Sequence, residues 1–391
     1  MIRQFFYFII GLIISVAAIY TWGYFTSYEY SLTTRQKLAK TAIGDIHVAV
    51  VLKPNAPASF AAGVDIALME ENINGIEFEL DGKKINRKIV LHYVNDENKI
   101  NEVVNNHEIV AVIGFIGSVS AIEASISYEN HGILFLSTSA TDQRLTNHGL
   151  KYVFSIIPID KDYARKLVDF AEGRQYKKVT YLYARQGGYG INLCNMFSSF
   201  LLGKHITIVG SHSFDNTEND HRELIYEMLK TDTDAILLGA VGEPAARVIY
   251  QLRALGINKP ILGSDGLDNP KIWDMSGEKA FDTYVASVYV DNPYLENKNS
   301  YPEFYKAFNE KHQRAPDYLA RQGYESVKIL ATAFRKSNST VPITVAATLK
   351  YSFNQAFGGY SFDSLGRITN KDILMKVMNK GSFYDVSEKV N

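Results

Sequence analysis

The sequence predicts an α/β protein made of two doubly wound, parallel-sheet units in tandem, preceded by a transmembrane helix. From Asp45 onward, short apolar runs alternate with amphipathic helical segments. That is the rhythm of a parallel sheet covered on both faces. The rhythm breaks near Pro158-Ile-Asp160 and restarts at Val179. In front of it, Phe5 to Phe25 runs apolar without a charge. A length of 391 residues suits two domains.

At the N-terminus, Met1-Ile-Arg-Gln4 is a short basic start to the run FFYFIIGLIISVAAIYTWGYF. The run has the length a helix needs to cross a bilayer. Tyr20, Trp22 and Tyr24 lie at its far end, where an aromatic belt would sit. A cleaved signal peptide is the competing reading, with Val16-Ala17-Ala18 as its small-residue site. The apolar run continues past that site, so an uncleaved anchor is preferred. Flanking charge orients it poorly, because Arg3 stands on one side and Arg35, Lys37 and Lys40 on the other. Residues 28–44 have mixed polarity and little pattern, and read as a tether.

Strands of the first unit are expected at His47–Leu52, Lys88–Val94, Ile109–Phe115 and Ile133–Leu136. Each is short, apolar and rich in branched residues. Helices are expected between them at Ser59–Asn72, Asp96–Asn105 and Val119–Glu129. In the first, Phe60, Val64, Ala67 and Leu68 recur at helical spacing, and Asn74-Gly75 supplies a left-handed stop. The second unit repeats the pattern. Its strands fall at Val179–Tyr183, Ile206–Ser211, Ala235–Leu238 and Pro260–Gly263. Its helices fall at Tyr189–Leu201, His221–Lys230 and Glu243–Leu255. Tyr301–His312 and Ala320–Lys336 read as further helices, and the stretch from Phe357 as strand-like and turn-rich.

Composition removes some function classes. Lys and Arg number 41 against 42 Asp and Glu, so the basic excess of a nucleic-acid binder is missing. The single cysteine, Cys194, rules out a disulfide framework and a cysteine-rich metal site. It sits in the apolar stretch Asn192-Leu-Cys-Asn-Met-Phe197 and reads as a small buried hydrophobe. The sequence has no G-x-S-x-G elbow, H-E-x-x-H or P-loop. Neither catalysis nor a cofactor is expected.

In open α/β sheets, ligands bind at the carboxyl ends of strands, beside helix N-termini. Four turns there stand out. Gly114-Phe-Ile-Gly-Ser-Val-Ser120 puts Ser118 near a helix N-cap, where backbone N–H groups hold an anion or simply receive a cap. Ser137-Thr-Ser-Ala-Thr-Asp142 gathers hydroxyls, including Ser139 and Thr141 around Ala140, in a neighbouring turn. In Arg185-Gln-Gly-Gly-Tyr-Gly190, Tyr189 either covers a ligand or packs on its own lobe; the full G-x-G-x-x-G dinucleotide pattern is absent. In Leu262-Gly-Ser-Asp-Gly-Leu267, Asp265 is either an ammonium ligand or a turn aspartate between glycines.

Taken in order, these turns resemble those of the type I periplasmic binding proteins, specifically the branched-chain amino acid binding family. Further matching pieces are Gly63-Val-Asp-Ile-Ala-Leu68 with Asn74-Gly-Ile76, Ala111-Val-Ile-Gly114, and Gly323-Tyr-Glu-Ser326. The resemblance runs from Ile46 to the C-terminus. It implies two lobes joined by a three-stranded hinge: 45–157 with 288–355, and 158–287 with 356–391, behind an N-terminal segment at 1–27. It also implies a carboxylate held by Ser118, Ser139, Ala140 and Thr141, with Tyr189 above it and an ammonium on Asp265. The expected protein is an extracytoplasmic solute-binding component anchored in the inner membrane. It would present an amino acid or similar small polar ligand to a membrane permease. A sensory or scaffolding ectodomain signalling to a receptor subunit is the alternative. Two departures from the family pattern are that the acid, often glutamate, is Asp265, and that Gly239-Ala-Val241 replaces an aromatic.

Overall fold

The computed structural model describes residues 2–25, 27–54, 56–289, 301–353, 357–379 and 382–386. Helix α1 (Ile2–Phe25) is continuous, and Tyr7, Leu12, Ile13, Ile14, Val16 and Ile19 are exposed along it. Among the described residues, no helix is long and apolar enough to cross a membrane. The side chains of Tyr20, Trp22 and Tyr24, the expected aromatic belt, lie outside the described residues.

Residues 28–44, expected to be a tether, instead form helix α2 (Tyr28–Thr41), docked on the first lobe. Ser27 caps it, its hydroxyl accepting the Tyr30 N–H at 3.2 Å. Arg35 is fully buried. It donates to the carbonyls of Ile109 (2.8 Å), Val104 (2.8 Å), Asn106 (3.2 Å) and His131. Polar contacts led by Arg35, with Gln36 bonding to Tyr152 and the Thr340 hydroxyl donating to the Ala39 carbonyl, seat this helix more than an apolar stripe does, so hydrophobic periodicity carries little sign of it.

The first sheet takes β1 (Ile46–Val51), then α3 (Ala58–Asn74) and a hairpin of β2 (Ile76–Leu80) and β3 (Lys83–Arg87). β4 (Ile89–Val94), α4 (Ile100–Asn105), β5 (Ile109–Gly114), α5 (Ser118–Asn130), β6 (Leu134–Ser137) and β7 (Val153–Ser155) follow. Its five strands are parallel, in the order β4-β1-β5-β6-β7. The β5 residues are all buried, as expected of a strand covered on both faces.

The chain then enters the second sheet through α6 (Asp160–Gly173), β8 (Lys178–Ala184), α7 (Tyr189–Ser199), β9 (Thr207–Phe214), α8 (Arg222–Met228) and β10 (Ala235–Gly239). α9 (Gly242–Ala254), β11 (Ile261–Gly263), α10 (Lys271–Ser276) and β12 (Thr283–Ser287) complete this pass. Cys194 is buried here, and burial pushes its thiol up to about 12. The chain returns to the first core with α11 (Pro302–His312), α12 (Tyr318–Ser337) and α13 (Pro342–Tyr351). It stays there past residue 355. Tyr360, Phe362 and Ile368, on and beside the short strands β13 (Ser361–Phe362) and β14 (Ile368–Thr369), pack in the first core. The last crossing leads to β15 (Leu374–Asn379) and β16 (Ser382–Asp385), which run antiparallel on the edge of the second sheet. That sheet has the order β16-β15-β12-β11-β10-β8-β9.

Two glycines let α12 lie directly on α3. A Cβ on Gly63 would stand 1.8 Å from the Ala320 carbonyl oxygen, and one on Gly323 would stand 2.2 Å from that of Phe60. Glu71 of α3 then pairs with Lys328 (2.5 Å) and Arg335 of α12. Gly323→Val is expected to destabilise the chain by about 3 kcal/mol, because a backbone contact cannot repack around a branched side chain. An unchanged urea-unfolding midpoint would contradict this close-approach account.

Candidate functional site

The carboxyl ends of both sets of parallel strands meet at a cleft of about 850 Å³. Ser118, Ser139 and Thr141 line it from the first lobe, and Tyr189 and Asp265 from the second. Ala140 packs beneath the lining, 1% exposed, in the first lobe's core.

The first-lobe wall is built by two adjacent strand ends, since Gly114 of β5 lies opposite Ser137 of β6. Gly114 has φ +137°, and a Cβ there would stand 2.1 Å from the Val51 carbonyl oxygen. Only glycine lets the chain turn back over the end of β1 at this point. Gly117 is the N-cap and Ser118 the first residue of α5, one place on from the expected cap. The first internal helix bond runs from Ala121 N–H to Gly117 C=O, so the amides of Ser118 and Val119 lack intrahelical partners. Glu97 flanks this helix start, accepting from Ile116 N–H (3.3 Å) and Ser120 Oγ (2.7 Å). The Ser139 hydroxyl donates to Gln322 Oε1 of α12 at 2.5 Å.

The second-lobe wall centres on Asp265. The Tyr189 hydroxyl donates to its Oδ1 at 3.3 Å, and the Tyr318 hydroxyl, from α12 of the first lobe, donates to Oδ2 at 3.3 Å. Tyr189 also shares a 2.6 Å hydrogen bond with Ser264 and accepts from Gly266 N–H at 3.2 Å. Its hydroxyl is thereby tied to its own lobe while its ring lines the cleft. The start of α7 can approach β10 because both contact residues are glycines. A Cβ on Gly190 would stand 2.2 Å from the Gly239 carbonyl oxygen, and one on Gly239 would stand 2.7 Å from Gly190 Cα. A side chain at 239 would therefore collide with the start of α7, on which Tyr189 stands.

Asp160 sits close behind. Its N–H donates to the Thr141 carbonyl (2.8 Å), and its carboxylate accepts from Asn192. Burial raises the Asp160 carboxyl to about 6. Burial, with the neighbouring Asp160 charge, raises Asp265 to about 7. Among the described residues, no ion pair includes either acid, and Asp160 Oδ1 and Gln322 Nε2 are buried without a hydrogen-bond partner. Neither acid has a cationic partner among the described residues, and burial favours the protonated form of both. A ligand cation would draw them toward the ionised form. Sequence reasoning missed Asp160, Tyr318, Gln322 and Glu97. Only Asp160 left a signal, at the break between the two units.

Two parallel-sheet lobes, crossed three times by the chain and facing each other across a polar cleft, define a two-lobed binding protein. The chain belongs to the periplasmic binding protein family, whose sequence profile matches residues 58–382. It is 24% identical over 287 residues to the leucine-, isoleucine-, valine-, threonine- and alanine-binding protein of Pseudomonas aeruginosa. That match covers 72% of this chain and 74% of the relative. A branched-chain amino acid transporter substrate-binding protein from Streptococcus pneumoniae, solved with isoleucine, superposes with a TM-score of 0.76 at 24% identity. The superposition covers 88% of this chain and 99% of that one. An ABC transporter substrate-binding protein from Desulfitobacterium hafniense, solved with leucine, gives 0.72 at 25% identity, covering 88% of this chain and all of its own.

Proposed function

We propose that this protein is a membrane-anchored, extracytoplasmic solute-binding component. It traps an amino acid or a similar small zwitterion between its lobes and presents it to a membrane transporter. The observation that carries this reading is the uncompensated acid at Asp265, backed by Asp160, facing the amides and hydroxyls of the first-lobe turns across one cleft. A zwitterion satisfies both walls. Its ammonium sits on Asp265, and its carboxylate sits at the α5 N-terminus and the 139–141 turn. The relatives named for branched-chain amino acids support the same ligand class. Residues 45–157 with 301–369 form the first lobe in this reading, and 160–289 with 374–386 the second. The charge-free run from Phe5 to Phe25 and the exposed apolar side chains of α1 support an anchor.

The test is a thermal-shift screen of the full chain in detergent against amino acids, amides and short carboxylic acids. A ligand at 100 times its Kd stabilises the folded state by about 2.7 kcal/mol. Amino acids with apolar side chains are expected to raise the midpoint, and their deaminated acids to do so far less. A screen in which no amino acid shifts the midpoint at millimolar concentration would reject this function.

A further inference from the structure

All three crossings between the lobes meet at one buried cation. Lys371, before β15, donates to the Ile156 carbonyl of the first crossing (3.1 Å) and to the Tyr289 hydroxyl of the second (3.3 Å). It pairs with Glu325 of α12, and both side chains are 0% exposed. Tyr289 and Tyr360 donate their hydroxyls to Glu325 at 2.7 and 3.0 Å. Five residues on, Lys376 of β15 forms a second buried pair, with Asp268 at 2.8 Å. Ser287, the last residue of β12, also donates to Asp268. Asp268 belongs to the turn that carries Asp265. Its N–H donates to the Asp265 carbonyl at 2.9 Å, and it lines the cleft.

Burying an ion pair gains little stability, because desolvation offsets the Coulomb attraction; its best-attested use is to fix one geometry. The third crossing is therefore pinned at both ends. Lys371 fastens it to the first lobe, and Lys376 to the ligand-facing turn of the second. Only residues 372–375 lie between. We propose that these two pairs form a clamp that sets the resting angle between the lobes, and that Asp268 and Lys376 are positioning residues for ligand capture at Asp265. The second half rests on the reading of Asp265 as the ammonium site.

The test uses the full chain in detergent with spin labels on Glu123→Cys in the first lobe and Leu202→Cys in the second. Both positions are exposed, whereas Cys194 is buried. Glu325→Gln with Lys371→Gln, and Asp268→Asn with Lys376→Gln, each remove both charges of a pair, which leaves no unpaired buried ion. The Glu325/Lys371 double variant is expected to shift or broaden the ligand-free interlobe distance distribution. The Asp268/Lys376 double variant is expected to weaken L-leucine binding roughly tenfold or more, while leaving the weaker binding of 4-methylpentanoate, which lacks the ammonium, unchanged. Wild-type distance distributions in both double variants would overturn the clamp. Wild-type leucine affinity in the Asp268/Lys376 variant, or an equal loss for both ligands, would overturn the positioning role. If wild-type protein binds neither leucine nor any other amino acid, the ammonium reading and the positioning role fall together. The ligand-free distances still decide the clamp.

Discussion

Asp265→Asn is expected to stabilise the ligand-free protein at pH 8 and to weaken amino-acid binding at least tenfold. The two effects share one cause. In the unfolded chain the Asp265 carboxyl titrates near its ordinary value of 3.8, and in the folded chain near 7. Well below pH 3.8 both states hold the proton and no penalty arises. As pH rises from 4 to 7, the unfolded state releases its proton while the folded state keeps it, so stability falls. Above 7 the full cost of a buried, unpaired carboxylate is present, about 2–4 kcal/mol at the usual 1.36 kcal/mol per unit with allowance for local relaxation. Asp160, raised to about 6 by burial, adds a contribution of the same sign. Wild-type midpoints without ligand should therefore decline between pH 5 and pH 8, and the Asn variant should flatten that decline.

Binding runs the other way. An ammonium on Asp265 favours the ionised acid, so amino-acid affinity should rise over the same pH interval, with proton release visible as buffer-dependent heats in calorimetry. Charged hydrogen bonds contribute about 1.5–3 kcal/mol, which sets the tenfold floor for the Asn variant. Equal affinity in wild type and Asp265→Asn would remove the ammonium role. A flat pH profile in the wild type would remove the buried-charge account.

Arg35→Ala is expected to destabilise the protein by about 3–5 kcal/mol. The substitution strips the backbone carbonyls of Val104, Asn106, Ile109 and His131 of their shared donor and leaves a cavity. Burial lowers the Arg35 guanidinium to about 10, so it stays charged at neutral pH. Urea unfolding gives the size of the loss. Limited proteolysis should show α2 cut first, while β1 to β7 stay protected. Unchanged susceptibility within Tyr28–Thr41 would mean that Arg35 does not hold the helix.

Most of the two sheets was legible in the sequence, because buried parallel strands are written as short branched apolar runs. The strand expected at Ile109–Phe115, for instance, is β5 at Ile109–Gly114. Helix α2 was not legible, because polar contacts to groups distant in sequence, Arg35 foremost, largely take the place of an apolar face. The turns bearing Ser118, Ser139, Tyr189 and Asp265 could be picked out because each is a strand-to-helix turn. Their partners could not. Tyr318 lines the cleft and Gln322 bonds to Ser139 behind it, both from a helix more than 170 residues after the Ser139 turn, and Glu325 and Lys371 are 46 residues apart. Long-range polar pairing leaves no periodicity to read. The need for glycine at 239 was not visible either, because it comes from a backbone contact with Gly190 across the fold.

Docking α2 also shortens the reach of the binding lobes. Its 14 residues, as an extended chain, would let the lobes wander about 46–50 Å from α1. Folded onto the first lobe, those residues supply no slack, and only residues 26 and 27 lie between the two helices in the chain. The cleft then sweeps a small volume around α1. If α1 is the anchor proposed above, a transporter beside it meets the cleft at a high effective concentration, and weak contact between the two surfaces suffices for delivery.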